Sequence, residues 1–158
     1  MLSRRGRTLI LAGLAAIMPL VALPPAAFAV DTESTEAPDL TGVRAKIKAK
    51  EFKAAIAELE AVIDRGVQHA DVYNLMGFSL RKSGNLDRAY AFYRRALEFE
   101  PNHKGALEYL GELYLERGEI AKARDHVARL TMLCPEGCEE LTDLRLAISE
   151  AERAPQKP

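Results

Sequence analysis

From Asp39 onward, apolar residues recur at three- and four-residue steps with charged positions between them. That spacing predicts amphipathic helices throughout. Glycines and prolines fall between the periodic stretches and punctuate them. The pattern also repeats. Residues 73–101, "YNLMGFSLRKSGNLDRAYAFYRRALEFEP", align without a gap on residues 107–135, "LEYLGELYLERGEIAKARDHVARLTMLCP", at a step of 34. Gly77 falls on Gly111, Gly84 on Gly118, Ala89 on Ala123 and Pro101 on Pro135. A period of this size predicts helix pairs that stack into a solenoid, each pair burying its apolar face against the next.

The matching positions are those of a known family. Tyr73, Met76, Gly77, Leu80, Ala89, Tyr93 and Pro101 occupy them in one copy. Leu107, Leu110, Gly111, Tyr114, Ala123, Val127 and Pro135 occupy them in the next. In this order of aromatic, Leu-Gly, aromatic, Ala, aromatic and Pro, the chain resembles the tetratricopeptide repeat. The resemblance implies an all-α fold, a right-handed α-solenoid of about three helix-pair repeats plus a C-terminal capping helix. Gly77 and Ala89 are expected to be small because the two helices of a repeat cross closely there. Gly84 and Gly118 should end first helices in the left-handed conformation, and Pro101 and Pro135 should stop second helices.

The repeats are expected at about residues 36–69, 70–103 and 104–137. The first keeps half the pattern: Phe52, Ala55, Leu59 and Val62 stand in place, whereas Val43 and Lys46 replace the glycine and the aromatic, and Val67 the proline. Terminal repeats are atypical because one face meets water. Past Pro135 the same step places Leu141, Leu144 and Ile148 on one face of a lone helix, residues 138–152. A polar tail, residues 153–158, follows.

Residues 1–29 have the form of an export signal. Arg4, Arg5 and Arg7 precede an apolar run at residues 9–23, broken by Pro19, and "AFA" at 27–29 offers the small residues of a cleavage site near Ala29. The run is shorter than the roughly 20 residues needed to span a bilayer, so no stable membrane insertion is expected after cleavage. Residues 30–38, "VDTESTEAP", are acidic and aperiodic, and are read as a disordered leader. The whole chain carries 22 basic and 23 acidic residues, and the signal holds three of the arginines and no acid. What remains is mildly acidic, which suits nucleic acid poorly. The expected location is the bacterial periplasm.

That compartment bears on "LCPEGCEEL", residues 133–141, which holds both cysteines of the chain. The repeat register puts Cys134 at the end of one helix and Cys138 at the start of the next. In an oxidising compartment such a pair forms a disulfide, here a clasp on the capping helix. Two other chemistries suit a C-x3-C pair: Cu(I) held by soft sulfur ligands with Met132 nearby, or thiol exchange at a helix start. Glu136, Glu139 and Glu140 disfavour the thiolate that both would need.

The remaining constellations exclude more than they suggest. There is no phosphate-binding glycine loop and no nucleophile elbow. Nothing places an acid and a base around a pocket, and His69, His103 and His126 are read as surface residues. No enzyme activity, cofactor or metal is expected. The resemblance implies instead that a peptide or partner protein docks in the concave groove lined by the first helix of each pair. The groove-side positions, expected to be exposed, are Asn74, Phe78, Arg81 and Lys82, then Glu108, Glu112, Leu115 and Glu116. Phe78 is the candidate anchor. Relatives that clamp a C-terminal carboxylate use lysine and asparagines at set groove positions, and this chain departs from that set, with Asn74, Phe78 and Glu108 standing there. The function expected is a non-catalytic interaction scaffold or adaptor of the periplasm. The alternatives are a periplasmic Cu(I) or thiol carrier using Cys134 and Cys138, and repeats that serve only self-association.

Overall fold

The computed structural model describes residues 37–153. The expected export signal, most of the acidic leader and most of the polar tail lie outside the described residues. Among the described residues seven helices run in chain order: α1 (Thr41–Lys48), α2 (Phe52–Asp64), α3 (Ala70–Lys82), α4 (Leu86–Phe99), α5 (Lys104–Glu116), α6 (Ile120–Leu133) and α7 (Glu139–Arg153). Each packs on its neighbours in sequence, and α3 also meets α5 while α5 meets α7. This is an all-α solenoid of helix pairs, α1/α2, α3/α4 and α5/α6, followed by α7.

The 34-residue step accounts for the packing. Ala55, Ala89 and Ala123 hold one position in three successive second helices, and all are fully buried. Met76, Leu110 and Leu144 hold one position in three successive first helices and are likewise buried. One core cluster spans α1–α4 with Leu110 and Leu113 of α5. A second joins Leu107, Ala123 and Leu130 to Leu141, Leu144 and Ile148 of α7. Leu97 and Tyr114 touch both, so the core runs on from pair to pair.

Two glycines lie at close approaches, with different partners. A methyl group added at Gly77 would stand 2.6 Å from a ring carbon of Tyr93, in the other helix of its own pair. At Gly111 it would stand 2.6 Å from Leu144, in α7 of the next unit. The expectation of a within-pair crossing holds for Gly77; at Gly111 the crossing is between pairs.

The prolines act one step earlier than expected. α4 and α6 end at Phe99 and Leu133, and the residues before the prolines, Glu100 and Cys134, are already extended with ψ of 91° and 68°. The proline ring disfavours the helical conformation for its predecessor, so the helix stops before the proline itself.

Where first and second helices join, the chain turns through a left-handed residue. Gly84 has φ +83° and Gly118 φ +75°. The position 34 before Gly84 is Lys50, which adopts φ +60° although it carries a side chain. A left-handed conformation costs an L-residue roughly 1–2 kcal/mol, part of which glycine returns through its greater freedom when unfolded. Lys50→Gly is therefore expected to stabilise the protein by about 0.5–1 kcal/mol. Urea unfolding of the two forms checks it, and a variant no more stable than the wild type would mean that the turn carries no such strain.

Candidate functional site

Three half-buried aromatic rings, one each from α2, α3 and α5, form a row. Phe52, at the start of α2, meets Phe78 edge-on at 6.3 Å between centroids, and Phe78 meets Tyr109 of α5 at 4.9 Å. Arg81 lies against this row, its guanidinium 5.7 Å from the Phe78 centroid and 5.9 Å from that of Tyr109. The Lys82 ammonium lies 5.4 Å from the Phe78 centroid. Beside Phe52 a recess of about 500 Å³ is lined by Lys50, Glu51, Phe52, Lys53, Ala54 and Ser83.

Arg81 is only 5% exposed, which corrects the expectation of a free groove cation. Its Nη1 donates to Glu116 at 2.7 Å, its Nη2 pairs with Glu112, and its Nε donates to the Tyr93 hydroxyl at 3.4 Å. All five guanidinium N–H groups sit on one rigid fork, so a single residue ties α3 to both α4 and α5. Glu112 and Glu116 are thereby committed to an internal bridge.

Two other groove positions are buried as well. Asn74 is 5% exposed and Glu108 7% exposed. Adjacent first helices approach closely here: a methyl group added at Gly105 of α5 would stand 3.2 Å from Asn74 Nδ2. Among the described residues nothing donates to the buried Asn74 Oδ1. Leu115 packs on the C-terminal core cluster. Lys82 is exposed, as expected, and Phe78 keeps one side open.

The charges of the site are unevenly distributed. Burial, then the charges of Glu112, Asp143 and Glu140, push the Glu108 carboxyl up to about 8. Glu140 and Asp143 come from α7. Glu108 was expected in the groove, but the approach of these two α7 acids to it was not, because α7 reads from sequence as a capping helix only. Nor was Tyr109, since Leu75 holds the equivalent position in the preceding repeat and is buried.

The histidines also differ from the surface reading. His69 Nδ1 accepts from the Asp71 N–H at 3.1 Å, and His103 Nδ1 accepts from the Ala106 N–H at 3.0 Å, so each caps a helix. His103 Nε2 then lies 3.0 Å from Asp71 Oδ1, joining successive first helices. That hydrogen bond holds the Asp71 carboxyl below its usual range. His126 is half-buried against Tyr114, ring centroids 5.6 Å apart. At the far end, Cys134 and Cys138 are paired across the corner, with Cα atoms 5.8 Å apart, within the span that a disulfide requires.

Helix order and packing together define a helix-pair repeat protein. The family model "Tetratricopeptide repeat" matches residues 80–145. Among curated proteins, the chain is 34% identical over 62 residues to the uncharacterized protein ycf37 of Pyropia yezoensis, covering 39% of this chain and 35% of that one. It is 31% identical over 85 residues to the probable biofilm formation methyltransferase WspC of Pseudomonas putida, covering 54% of this chain and 20% of that protein. It is 31% identical over 108 residues to the cellulose synthase 2 operon protein C of Komagataeibacter xylinus, covering 68% of this chain and 8% of that one. The chain thus spans about a third or less of the length of each of these relatives.

Arg81→Ala should destabilise the protein by about 2–3 kcal/mol, somewhat less than for a fully buried pair because Glu116 is exposed. Chemical denaturation measures this, and a loss under about 0.5 kcal/mol would show the bridge to be a surface pair of the ordinary weak kind.

Glu108 generates a pH prediction. The folded protein holds the Glu108 proton more tightly than the unfolded chain does, so stability falls as pH rises from 4.5 towards 8. Glu108→Gln removes that loss. The melting temperature of the variant should match the wild type near pH 5 and exceed it near pH 9; a gap independent of pH would contradict the assignment.

Proposed function

We propose that this chain is a non-catalytic interaction scaffold, exported to a bacterial periplasm, that docks a peptide or partner protein on the face formed by α3, α5 and α7. The observation that carries the reading is the row Phe52–Phe78–Tyr109, aromatic side chains from three helices left half-open beside the Lys82 ammonium. Aromatic anchors in partly desolvated surroundings are the side chains that dominate protein interfaces. The tetratricopeptide match over residues 80–145 supports the same class of function. Location rests on the arginine-led apolar run and small-residue site of residues 1–29. In such a compartment the Cys134–Cys138 pair serves as a clasp on α7.

The test uses the protein as bait in an envelope extract, beside a variant carrying Phe78→Ala and Lys82→Glu. Neither residue is an ion-pair partner of Arg81, so the variant should stay folded by circular dichroism, with a lower melting temperature from the lost ring contacts, and fail to retain the partner. Retention of the same partner by both forms would remove the groove from the reading. The same preparation, taken from the periplasm, should begin near Val30 and contain no free thiol. An intact Met1 would overturn the export assignment. Two free thiols with stoichiometric copper would replace the clasp with the carrier reading, for which Met132, 76% exposed two residues before Cys134, is the third sulfur at hand.

A further inference from the structure

The repeat supplies its own comparison for the recess beside Phe52. A step of 34 carries Phe52 and Lys53 onto Leu86 and Asp87, and Ser83 onto Arg117. At that next corner the two helices are bridged from within the chain. Arg117 Nη2 donates to Asp87 Oδ1 at 2.6 Å and to the Leu86 carbonyl at 3.2 Å, and its guanidinium lies 5.2 Å from the Tyr90 centroid. At the first corner Ser83 stands in the place of that arginine. Its hydroxyl donates back to the Ser79 carbonyl at 2.8 Å. The recess of about 500 Å³ is bounded by Ser83 and by residues 50–54, and pockets of about 300–1,000 Å³ are the size that takes up ligands.

The charge is reversed as well. Lys53 takes the place of Asp87, and Lys50 lines the same recess. Among the described residues neither lysine forms an ion pair, whereas Lys46 of α1 pairs with Glu58. Glu51 is the acid of the lining, and the two lysines outnumber it. Lys50 is also the residue held at φ +60°, where both later repeats place glycine. Strained residues of this kind cluster at sites that use their side chains. Phe52 forms one wall and stands 6.3 Å from Phe78, so the recess continues the aromatic row.

We propose that the recess docks a glutamate side chain of an acidic partner peptide. Its methylenes lie on Phe52 and its carboxylate pairs with Lys50 and Lys53, in the space that Arg117 fills at the next corner. The inference rests on the groove reading and gives one end of the bound segment its chemistry. At the second corner the chain itself lays a flexible stem across the start of a helix and sets its charged head on Asp87. With a lysine in the place of that acid, the complementary head group is a carboxylate. Exposed ion pairs contribute little each, so the recess adds selectivity and salt dependence to the aromatic anchors, which carry most of the affinity.

The test titrates isotope-labelled protein with a peptide of alternating glutamate and leucine, acetylated and amidated at its ends, and with its glutamine counterpart, followed by amide NMR. The glutamate peptide should shift amides of the first corner and of the end of α3, with millimolar affinity that weakens several-fold as salt is raised. The glutamine peptide should not. Lys50→Gly should weaken binding at least threefold although it makes the protein more stable, which separates the loss from any defect in folding. Ser83→Arg with Lys53→Asp rebuilds the internal bridge of the next corner, and should remove binding without loss of stability. Lys104→Gln at the start of α5 should change neither. Equal shifts by the glutamine peptide, shifts confined to other parts of the chain, or unchanged binding in Ser83→Arg with Lys53→Asp would overturn the proposal. So would a wild-type dimer that this double variant dissolves, since the recess would then belong to a second copy. The bait experiment separates the two readings. If Phe78→Ala with Lys82→Glu loses the partner while Ser83→Arg with Lys53→Asp retains it, the groove stands and the glutamate site falls. If both variants retain it, both readings fall.

Discussion

The Tyr93 ring lies against the bare backbone of Gly77, closer than any side chain at that position would allow. This contact sets the spacing of α3 and α4, and the rest of the groove is built outward from it. Tyr93 is fully buried, yet its hydroxyl must find a partner; it accepts from Arg81. Arg81 in turn needs carboxylates for its remaining donors, and α5 supplies Glu112 and Glu116. A packing constraint inside one helix pair thus becomes a polar tie between pairs. Such a tie adds orientation more than net stability, because burying the charge offsets much of the attraction.

The same tie polarises the open face. With Arg81 consumed internally, the cation left beside Phe78 is Lys82, whose ammonium sits over the ring. With Glu112 and Glu116 consumed as well, the unbalanced acids are Glu108 and those of α7. The Lys82 ammonium thus stands over the Phe78 ring, and Glu140 and Asp143 of α7 face Glu108 beside Tyr109.

The ends of the solenoid are handled differently. At the first turn the backbone takes the left-handed conformation through Lys50 because the helix pair needs the same corner there as at Gly84 and Gly118. At the last corner Cys134 and Cys138 join the end of α6 to the start of α7. α7 is more than a lid. Leu144 occupies the space that Gly111 leaves open, as Tyr93 does at Gly77, and the acids of its first half reach Glu108.

Periodicity was enough to establish the helices, their pairing and the step between pairs, since a 34-residue recurrence of small and apolar positions is a local property of the chain. It located Ala55, Ala89, Ala123, the left-handed glycines and the lone final helix. It could not say which groove-side residues stay open. Asn74, Arg81 and Glu108 occupy positions that a single helix pair would leave in water, and they are buried only because a neighbouring first helix lies across them. His69 and His103 read as surface residues and prove to be caps, and Tyr109, which the pattern did not single out, closes the aromatic row. Repeat register assigns a residue to a face of its own helix, whereas burial, ion pairing and the Glu108 titration depend on contacts between helices more than 30 residues apart in sequence, and these exist only once the repeats have stacked.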